Sequence, residues 1–565
     1  MNRLEPFLHN ERIAYFSMEI ALQSDVPTYA GGLGVLAGDT LRTAADLELP
    51  MVALTLISRL GYFHQEIDFN GRQTEAPEPW EPEKHAQSLM AKVAVSMDGR
   101  DVWLQAWLYT VTSVAGFKVP VLLLDTDLTE NAPEDRQLSH HLYGHGDEYR
   151  LKQEVVLGIG GVRMLQALGF RVHTYHMNEG HSALLSLELL RRYEHPPERV
   201  GPRESIYDSS RVKEYCLFTT HTPVEAGHDQ FDYTLVDRVL DSLIDKDELR
   251  LLAGQERLNM TRLALNLSGY VNGVAKSHAR VSSSMFPGVR VRAITNGIHP
   301  QTWAAPATAS LYDRYIPNWC VEPENLIRAD QIPDEAVIAT HKENRKALIS
   351  KVTDLTGVQL NEDVPILGFA RRMTAYKRPD LLFTDLNRLI AIAKERPFQI
   401  VMAGKAHPSD AQGKQLIATL HQHIHELSEH IKMVFLPNYT MELARYMISG
   451  SDVWLNTPLR PYEASGTSGM KAALNGVPSL SVLDGWWVEG CLEGITGWAV
   501  GTASADANGG DAKDLYEKLS GTVLPLYYED NHGWAQVMKG AVIKNASYFN
   551  SHRMMRRYAA SAYLR

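Results

Sequence analysis

The chain has 565 residues, of which 44% are hydrophobic and 22% charged, and its 56 Lys and Arg against 67 Asp and Glu give a formal net charge of −11. This composition excludes a disordered or collagen-like chain, and the length is several times that of one domain, so we expect more than one hydrophobic core. The acidic balance argues against a nucleic-acid-binding protein, because no basic field would attract phosphates from a distance.

Short β-rich runs alternate with helical patterns along the whole chain. In chain order the predicted strands are 12–19, 50–58, 102–111, 119–127, 171–179, 215–221 and 291–295, followed by 365–373, 398–404, 432–436, 453–456 and 479–484. Residues 380–395 and 411–430 carry apolar residues at three- and four-residue steps, which is typical of amphipathic helices. Continuous apolar runs such as ILGFA predict strands buried on both faces, and hence parallel sheets covered by helices.

The two sets of strands predict an α/β fold with two doubly wound, Rossmann-like domains that face each other across a cleft. The turn-rich segment ITNGIHPQTW, residues 294–303, is the expected hinge. Polar clusters follow the predicted strands at their carboxyl ends, where open α/β sheets bind ligands. These clusters contain Asn178, Glu179 and His181, then His221, Asn296, Arg371, Arg372 and Tyr439, and finally residues 463–471. Their shared position predicts one active site between the domains.

The segment EASGTSGMKAALNG, residues 463–476, combines a small, flexible first half with a helical second half. Its backbone N–H groups can close round an anion at the start of a helix, and Lys471 follows within about one turn. A nucleotide-hydrolysing Walker loop needs Gly-Lys-Ser/Thr, whereas Met470 and Ala472 flank this lysine. The pattern fits a lysine that holds pyridoxal phosphate, and it equally fits a glycine-rich loop with a solvated lysine.

Two further segments suggest anion or ligand contacts. ARRMTAYKR places Arg371, Arg372, Lys377 and Arg378 in one short stretch, which fits either a site for two phosphate groups or a solvated basic patch. The glycine-rich segment 28–39, with Gly31, Gly32 and Leu33, either lets the backbone approach a ligand or forms a tight turn.

Neither a metal site nor a membrane segment is predicted. Cys216, Cys320 and Cys491 lie far apart, and the histidines of HQHIHELSEH, residues 421–430, do not align on one helix face. The first residues lack a signal-peptide pattern, and no apolar run approaches the roughly 20 residues that span a bilayer. We therefore expect a cytoplasmic protein with no membrane partner.

At EASGTSGMK the sequence resembles the α-glucan (glycogen, starch, maltodextrin) phosphorylases, in a short bacterial-type form. The resemblance covers most of the chain, because many family motifs occur in family order. They are FSMEIAL (16–22), GGLGVLAGD (31–39), GYF (61–63), RLKQE (150–154), MNEGH (177–181), THT (220–222), ITNGI (294–298), RRMTAYKR (371–378), AGKAHP (403–408), NY (438–439), LDGWWVE (483–489) and SYFNSHRMMRRYA (547–559).

The resemblance implies the GT-B glycosyltransferase architecture, with a glucan-binding domain at 1–295, a pyridoxal-phosphate domain at 296–550 and a C-terminal helix, 551–565, that returns toward the N-terminal domain. It implies phosphorolysis, in which a terminal α-1,4-linked glucose moves from a glucan or maltodextrin to inorganic phosphate and gives glucose 1-phosphate with retention. Whether the chain forms a homo-oligomer stays open.

The resemblance also implies residue roles. Lys471 is expected to bind the cofactor aldehyde, and Arg371, Thr467, Ser468 and Tyr439 to surround the cofactor phosphate. Arg372, Lys377 and the backbone of Gly32 are expected at the substrate phosphate. The positions that match the binding site of the transferred glucosyl unit are His221, Asn296, Glu463, Ser465 and Gly466. Gly31, Leu33 and His181 are also expected to bind substrate, and His181 and Glu179 match a neighbouring pair in the cleft.

Several departures from the family pattern bear on these expectations. FSMEI begins only fifteen residues into the chain, so we expect the family's regulatory extension to be absent; Thr374 replaces a histidine and Gly469 an asparagine. The alternative enzyme is a nucleotide-sugar-dependent synthase of the starch/glycogen kind, which would not need Lys471. The non-enzymatic alternative is a glucan-binding protein on an inactive phosphorylase scaffold.

Overall fold

The computed structural model describes residues 4–196, 198, 200–201, 204–224, 227–240, 243–502 and 509–564. Its strands are β1 (Arg12–Ser17), β2 (Met51–Leu56), β3 (His64–Ile67), β4 (Gln73–Ala76), β5 (Gln87–Met97), β6 (Arg100–Thr112), β7 (Lys118–Asp125), β8 (Val172–Asn178), β9 (Cys216–Thr219), β10 (Gln230–Asp232), β11 (Arg257–Asn259), β12 (Tyr270–Gly273), β13 (Arg292–Ala293), β14 (Ile366–Ala370), β15 (Gln399–Ala403), β16 (Met433–Leu436), β17 (Val453–Asn456), β18 (Ser479–Val482) and β19 (Gly497–Val500).

The α-helices of the first half are α1 (Glu5–Leu8), α2 (Gly32–Asp46), α3 (Pro82–His85), α4 (Pro133–Arg136), α5 (Asp147–Val155), α6 (Gly161–Ala167), α7 (Leu185–Arg192), α8 (Ser209–Tyr215), α9 (Tyr233–Leu240), α10 (Lys246–Ala253), α11 (Met260–Asn266) and α12 (Lys276–Met285). Those of the second half are α13 (Pro300–Trp303), α14 (Pro306–Tyr315), α15 (Asp334–Thr356), α16 (Leu386–Glu395), α17 (Ala411–Leu427), α18 (Met441–Gly450), α19 (Ser468–Leu474), α20 (Trp487–Gly490), α21 (Asp511–Lys518), α22 (Leu524–Glu529), α23 (Asn531–Gly540) and α24 (Ser551–Tyr558).

The first sheet has nine strands in the order β13-β12-β9-β8-β1-β2-β7-β6-β5. The strands from β13 to β7 pair in parallel, whereas β6 pairs antiparallel with both β7 and β5. The expectation of a wholly parallel sheet is therefore wrong at this edge. Residues 98–99 join β5 to β6 and residues 113–117 join β6 to β7, and a parallel crossover needs a dozen residues or more.

The second sheet has six strands in the order β16-β15-β14-β17-β18-β19, and all of its pairings are parallel. Its central strands β14 and β15 are buried along their whole length, as the continuous apolar runs predict. Two such sheets with helices packed against them confirm the α/β class and the two-Rossmann architecture.

Some elements differ from the sequence-based expectation. The strands that lie outside the predicted ranges are β3, β4, β5, β10, β11, β12 and β19, and the helix expected over 380–395 begins only at Leu386. The Asp385 carboxylate accepts a hydrogen bond from the backbone N–H of Arg388, so it caps the helix at that point. Likewise α17 ends at Leu427, before His430.

Separate hydrophobic cores cover the two faces of the first sheet, because alternate residues of β1 point in opposite directions. Ala14 and Phe16 belong to one core, whereas Ile13 and Tyr15 belong to the other. Tyr558 of α24 is buried in the core of Ile13 and Tyr15, so the last helix packs on the first sheet. A third core surrounds the second sheet.

Candidate active site

A cavity of about 340 Å³ lies between the two sheets, at the carboxyl ends of their strands. The sequence-predicted residues that line it are Gly31, Gly32, Leu33, His221, Asn296, Arg371, Arg372, Lys377, Tyr439, Glu463, Ser465, Gly466, Thr467, Ser468 and Lys471. Residues that lie hundreds of positions apart in the chain therefore border one space, as their shared place at strand ends predicts.

Lys471 is the fourth residue of α19 and lines this cavity. Its Nζ lies 3.8 Å from the centroid of the Trp303 ring, and the side chain is buried. Burial lowers the pKa of Lys471 to about 8, although the negative charge of Asp39 acts in the opposite direction. An appreciable fraction of this amine is therefore unprotonated near neutral pH, which is the form that attacks an aldehyde.

Arg371 and Lys377 approach the same carboxylate oxygen. Arg371 Nη2 and Lys377 Nζ each donate a hydrogen bond of 2.6 Å to Glu463 Oε2. Burial alone would raise the pKa of Glu463, but the two cations and their hydrogen bonds lower it to about 2. Arg371 Nη1 is buried and has no hydrogen-bond partner among the described residues. An incoming anion would satisfy this donor.

Arg372 borders the cavity, and its side chain is exposed there. A Cβ atom at Gly31 would lie 3.2 Å from Arg372 Nη2, so the glycine leaves room for the guanidinium. Most of the glycine-rich segment 28–39 is helical rather than a loop, because α2 begins at Gly32. Glu19 fixes the entry to this helix, since its Oε2 accepts hydrogen bonds from the backbone N–H groups of Ala30 and Gly31.

His221 follows β9 and is held from both sides. Its Nε2 lies 2.7 Å from Asn178 Oδ1, and its backbone N–H donates to Glu179 Oε2 at 2.7 Å. Burial lowers the pKa of His221 to about 3, so its ring is neutral and Nε2 donates to the amide oxygen. Burial also raises the pKa of Glu179 to about 7. Glu179 has a φ of +73°, in the left-handed region that non-glycine residues rarely adopt.

His181, like its predicted neighbour Glu179, is not among the residues that line the cavity in the described chain. Its Nε2 lies 3.4 Å from Asp229 Oδ2, and its ring meets that of Tyr143 edge to face. Tyr143 in turn donates a hydrogen bond to Glu19 Oε1. His181 therefore lies behind the wall of the cavity rather than on it.

Sequence reasoning missed several lining residues, namely Tyr29, Tyr62, Trp303, Tyr376, Lys405 and Thr440. Lys405 could have been found, because it follows β15 at the same sheet edge as Arg371. Its Nζ donates to the carbonyl of Phe63 at 2.8 Å, and burial lowers its pKa to about 8. Tyr62 lies in the GYF motif and Trp303 in the predicted hinge, but neither directly follows a predicted strand, so the strand-end argument did not select them.

Two absences apply to the described part of the chain. It contains no group of three or more His, Cys, Asp or Glu side chains arranged to hold a metal ion. It also contains no helix with the length and apolar composition that crossing a membrane requires.

Comparison with known proteins gives concordant matches. A family model described as carbohydrate phosphorylase matches residues 212–493. Maltodextrin phosphorylase of Thermococcus litoralis is 38% identical, over 98% of this chain and 70% of its own length. Glycogen phosphorylase of Aquifex aeolicus is 35% identical, over 100% of this chain and 88% of its own, and that of Mycobacterium tuberculosis is 34% identical, over 98% and 70%. The similarity extends over both sheets and the cavity between them.

Proposed function

The chain belongs to the carbohydrate phosphorylase family, and we propose that it acts as an α-glucan phosphorylase. It is a glycosyltransferase that moves a terminal α-1,4-linked glucosyl unit from a glucan or maltodextrin to inorganic phosphate and forms glucose 1-phosphate with retention. The observation that carries the proposal is one cavity that combines the buried Lys471 amine with the cations Arg371, Arg372 and Lys377.

The residues around Lys471 fit pyridoxal 5′-phosphate as the cofactor. Lys471 would bind the aldehyde, and Arg371, with its unpartnered buried Nη1 among the described residues, would bind the cofactor phosphate together with Thr467, Ser468 and Tyr439. When bound, the cofactor would supply a phosphate group that exchanges a proton with the substrate phosphate.

Arg372 and Lys377 would hold the substrate phosphate, with the backbone of Gly31 and Gly32 opposite them. Two phosphate groups in contact repel each other, so a cluster of cations in this cavity is what the reaction requires. Arg372 can bind the phosphate without first breaking an ion pair with Glu463, because the cations that hydrogen-bond Glu463 are Arg371 and Lys377.

The glucosyl unit would occupy the side of the cavity bordered by Leu33, His221, Asn296, Glu463, Ser465 and Gly466. The neutral His221 ring suits a hydrogen bond to a sugar hydroxyl, and a carbonyl of its segment would stabilise the positive charge that develops at the glucosyl carbon. His181, behind the cavity wall, would act through Asp229 and Tyr143 rather than on the transferred unit. A dry cavity disfavours hydrolysis, since water would compete with phosphate.

We also propose the division of the chain into an N-terminal glucan-binding domain, 1–295, a cofactor domain, 296–550, and the returning helix, 551–565. Two packing facts support it. Ile298 and Trp303 belong to the core around the second sheet, and Tyr558 and Tyr563 belong to the core of the first sheet.

The test is phosphate-dependent release of glucose 1-phosphate from maltodextrin by purified protein, with an absorbance spectrum of the same sample. We expect product together with a cofactor band at about 330 or 415 nm. Lys471→Ala should lose both, whereas Lys513→Ala, which changes an exposed lysine of α21, should keep both. Activity with a nucleotide sugar and no cofactor band would instead indicate the synthase alternative.

A further inference from the structure

Asp39 is a buried carboxylate that the reaction scheme does not use. It lies in the middle of α2, is 1% exposed and does not border the cavity in the described structure. A buried carboxylate is costly unless it has charged or hydrogen-bonding partners. Asp39 has two: both of its oxygens accept from Trp303 Nε1, at 2.8 and 3.1 Å, and Oδ1 lies 3.6 Å from Arg42 Nη1.

Trp303 is fixed at both ends. The indole Nε1–H can only donate, so the carboxylate of Asp39 sets the direction in which the ring plane extends. At the backbone, the Trp303 carbonyl accepts a hydrogen bond of 2.9 Å from Asn475 Nδ2. The indole is 1% exposed and cannot rotate without breaking the contact with Asp39.

Lys471 lies against this fixed ring. Its Nζ is 3.8 Å from the ring centroid, a distance at which the face of an indole attracts an ammonium group. The Nδ2 group of Asn475 donates to the Lys471 carbonyl as well, at 2.9 Å. The side-chain amide of Asn475 therefore links the backbones of Lys471 and Trp303.

We propose that Asp39 is a positioning residue, which orients the Trp303 indole so that the Lys471 amine is held ready for the cofactor aldehyde. The inference rests on the proposed function for the identity of the aldehyde, and it goes beyond that function in assigning roles to Asp39 and Trp303. It also connects the helix that starts at Gly32, beside the substrate-phosphate site, with the lysine of the cofactor site.

The charge of Asp39 has a second, separable effect on Lys471. Asp39 is the charged group of the described chain whose field acts on this amine, and it raises the pKa of Lys471 against the effect of burial. The helix α19, with sequence SGMKAAL, contributes no other charged side chain, and α13 contributes the uncharged Trp303. Arg42 faces Asp39 from the same helix.

Asp39→Asn and Asp39→Leu form a matched pair, because both remove the charge and only the asparagine keeps a hydrogen-bond acceptor for Trp303 Nε1. The first measurement is acetylation of Lys471 by acetic anhydride in cofactor-free protein, followed by peptide mass spectrometry across pH. The second is the rate at which the cofactor-free protein condenses with pyridoxal phosphate, with loss of water, trapped by borohydride at Lys471.

Both variants should shift the midpoint of Lys471 acetylation to lower pH, by about half a unit. Above the midpoint, where the Lys471 amine is unprotonated, Asp39→Asn should be acetylated at the same rate as the parent protein. Asp39→Leu should be acetylated at a different rate, because the Trp303 ring no longer holds its Lys471 amine in place. Aldehyde capture should be roughly tenfold slower for Asp39→Leu and little changed for Asp39→Asn. Equal behaviour of the two variants in both measurements would overturn the proposal.

Trp303→Phe keeps an aromatic face and removes the N–H donor, so it serves if Asp39→Leu does not fold. It should slow aldehyde capture as Asp39→Leu does, and capture at the parent rate would count against the proposal. Parent protein that never condenses with pyridoxal phosphate would defeat the proposed function instead. The acetylation comparison would still decide the role of Asp39, because it needs no cofactor.

Discussion

Gln65 and Asn438 exchange hydrogen bonds between the two halves of the chain. The backbone N–H of Asn438 donates to Gln65 Oε1 at 2.8 Å, and the backbone N–H of Gln65 donates to Asn438 Oδ1 at 3.2 Å. Gln65 Nε2 also donates to the carbonyl of Gly404 at 3.0 Å. The hairpin of β3 and β4 thus holds two loops of the second sheet, which carry Lys405 and Tyr439 into the cavity.

Gln65→Leu should loosen this contact and displace Tyr439. The change leaves the Asn438 N–H and the Gly404 carbonyl without their partner, which costs about 1–3 kcal/mol per buried group left unsatisfied. We expect a lower unfolding temperature and weaker binding of pyridoxal phosphate, because Tyr439 is proposed to lie at the cofactor phosphate. Differential scanning fluorimetry and titration of the cofactor-free protein with pyridoxal phosphate measure these two effects.

Lys414→Gln is the control for this substitution. It breaks the ion pair between Lys414 and Glu75 on the same hairpin contact, and a partly exposed pair of this kind is worth less than about 1 kcal/mol. An affinity for pyridoxal phosphate that changes equally in both variants would show that the hairpin does not act through the loop of Tyr439.

The outline of the site could be predicted from the sequence, whereas the parts that cross between the domains could not. Arg371 and Glu463 follow apolar runs whose strand character is evident, and parallel strands bring their carboxyl ends to one edge. Gln65 and Asn438 are separated by 373 positions, and neither lies in a pattern that specifies its partner. Asp39 looks like an ordinary polar residue of α2 until the position of Trp303 is known.

The fold shows the same division. Strands buried on both faces are continuous apolar runs, and β14 lies within the predicted strand 365–373, although it ends three residues earlier, at Ala370. Strand β5 was missed because it forms the edge of its sheet and alternates buried with exposed residues, among them the fully exposed Met90. At an edge, pairing depends on β6 more than on burial, so the apolar pattern is weak.

Glu463→Gln should make the stability of the folded protein more dependent on phosphate. Removing this charge leaves Arg371 and Lys377 without their carboxylate in a buried site, which costs about 3 kcal/mol. Inorganic phosphate replaces the missing negative charge, so we expect it to raise the unfolding temperature of Glu463→Gln more than that of the parent protein. Thermal unfolding with and without phosphate measures the difference.

The effect of Glu463 on stability also has a defined pH dependence. Its pKa is about 2 in the folded protein, below the ordinary 4.5, so its contribution is present above pH 4.5 and lost as the pH falls toward 2. The stability gap between parent and Glu463→Gln should close over that range. Glu517→Gln, at an exposed position of α21, is the control, and phosphate should stabilise it no more than it stabilises the parent protein. Equal phosphate stabilisation of parent and Glu463→Gln would contradict the prediction.

Glu179→Gln should alter the pH dependence of stability in the direction opposite to that of Glu463→Gln. The pKa of Glu179 is raised from 4.5 to about 7, so the folded state binds its proton more tightly and loses stability as the pH rises from 4.5 to 7. The glutamine variant lacks this loss, which is about 3 kcal/mol at pH 7. Urea unfolding at several pH values should show that the free energy of unfolding of the variant increases relative to that of the parent as the pH rises. A difference between the two that stays constant with pH would contradict the prediction.

Tyr558→Phe tests how the last helix supports the strand that precedes His221. The Tyr558 hydroxyl accepts from Asn272 Nδ2 at 2.9 Å and lies 3.2 Å from Thr219 Oγ1, two residues before His221. Removing this buried hydroxyl should cost about 1–2 kcal/mol and reduce kcat, because the end of β9 loses a fixed contact. Tyr548→Phe makes the same chemical change at an exposed ring in the segment before α24, and should alter neither quantity. Unfolding temperatures and steady-state rates of the two variants decide the matter, and a loss of stability without any change in kcat would show that α24 braces the sheet but not His221.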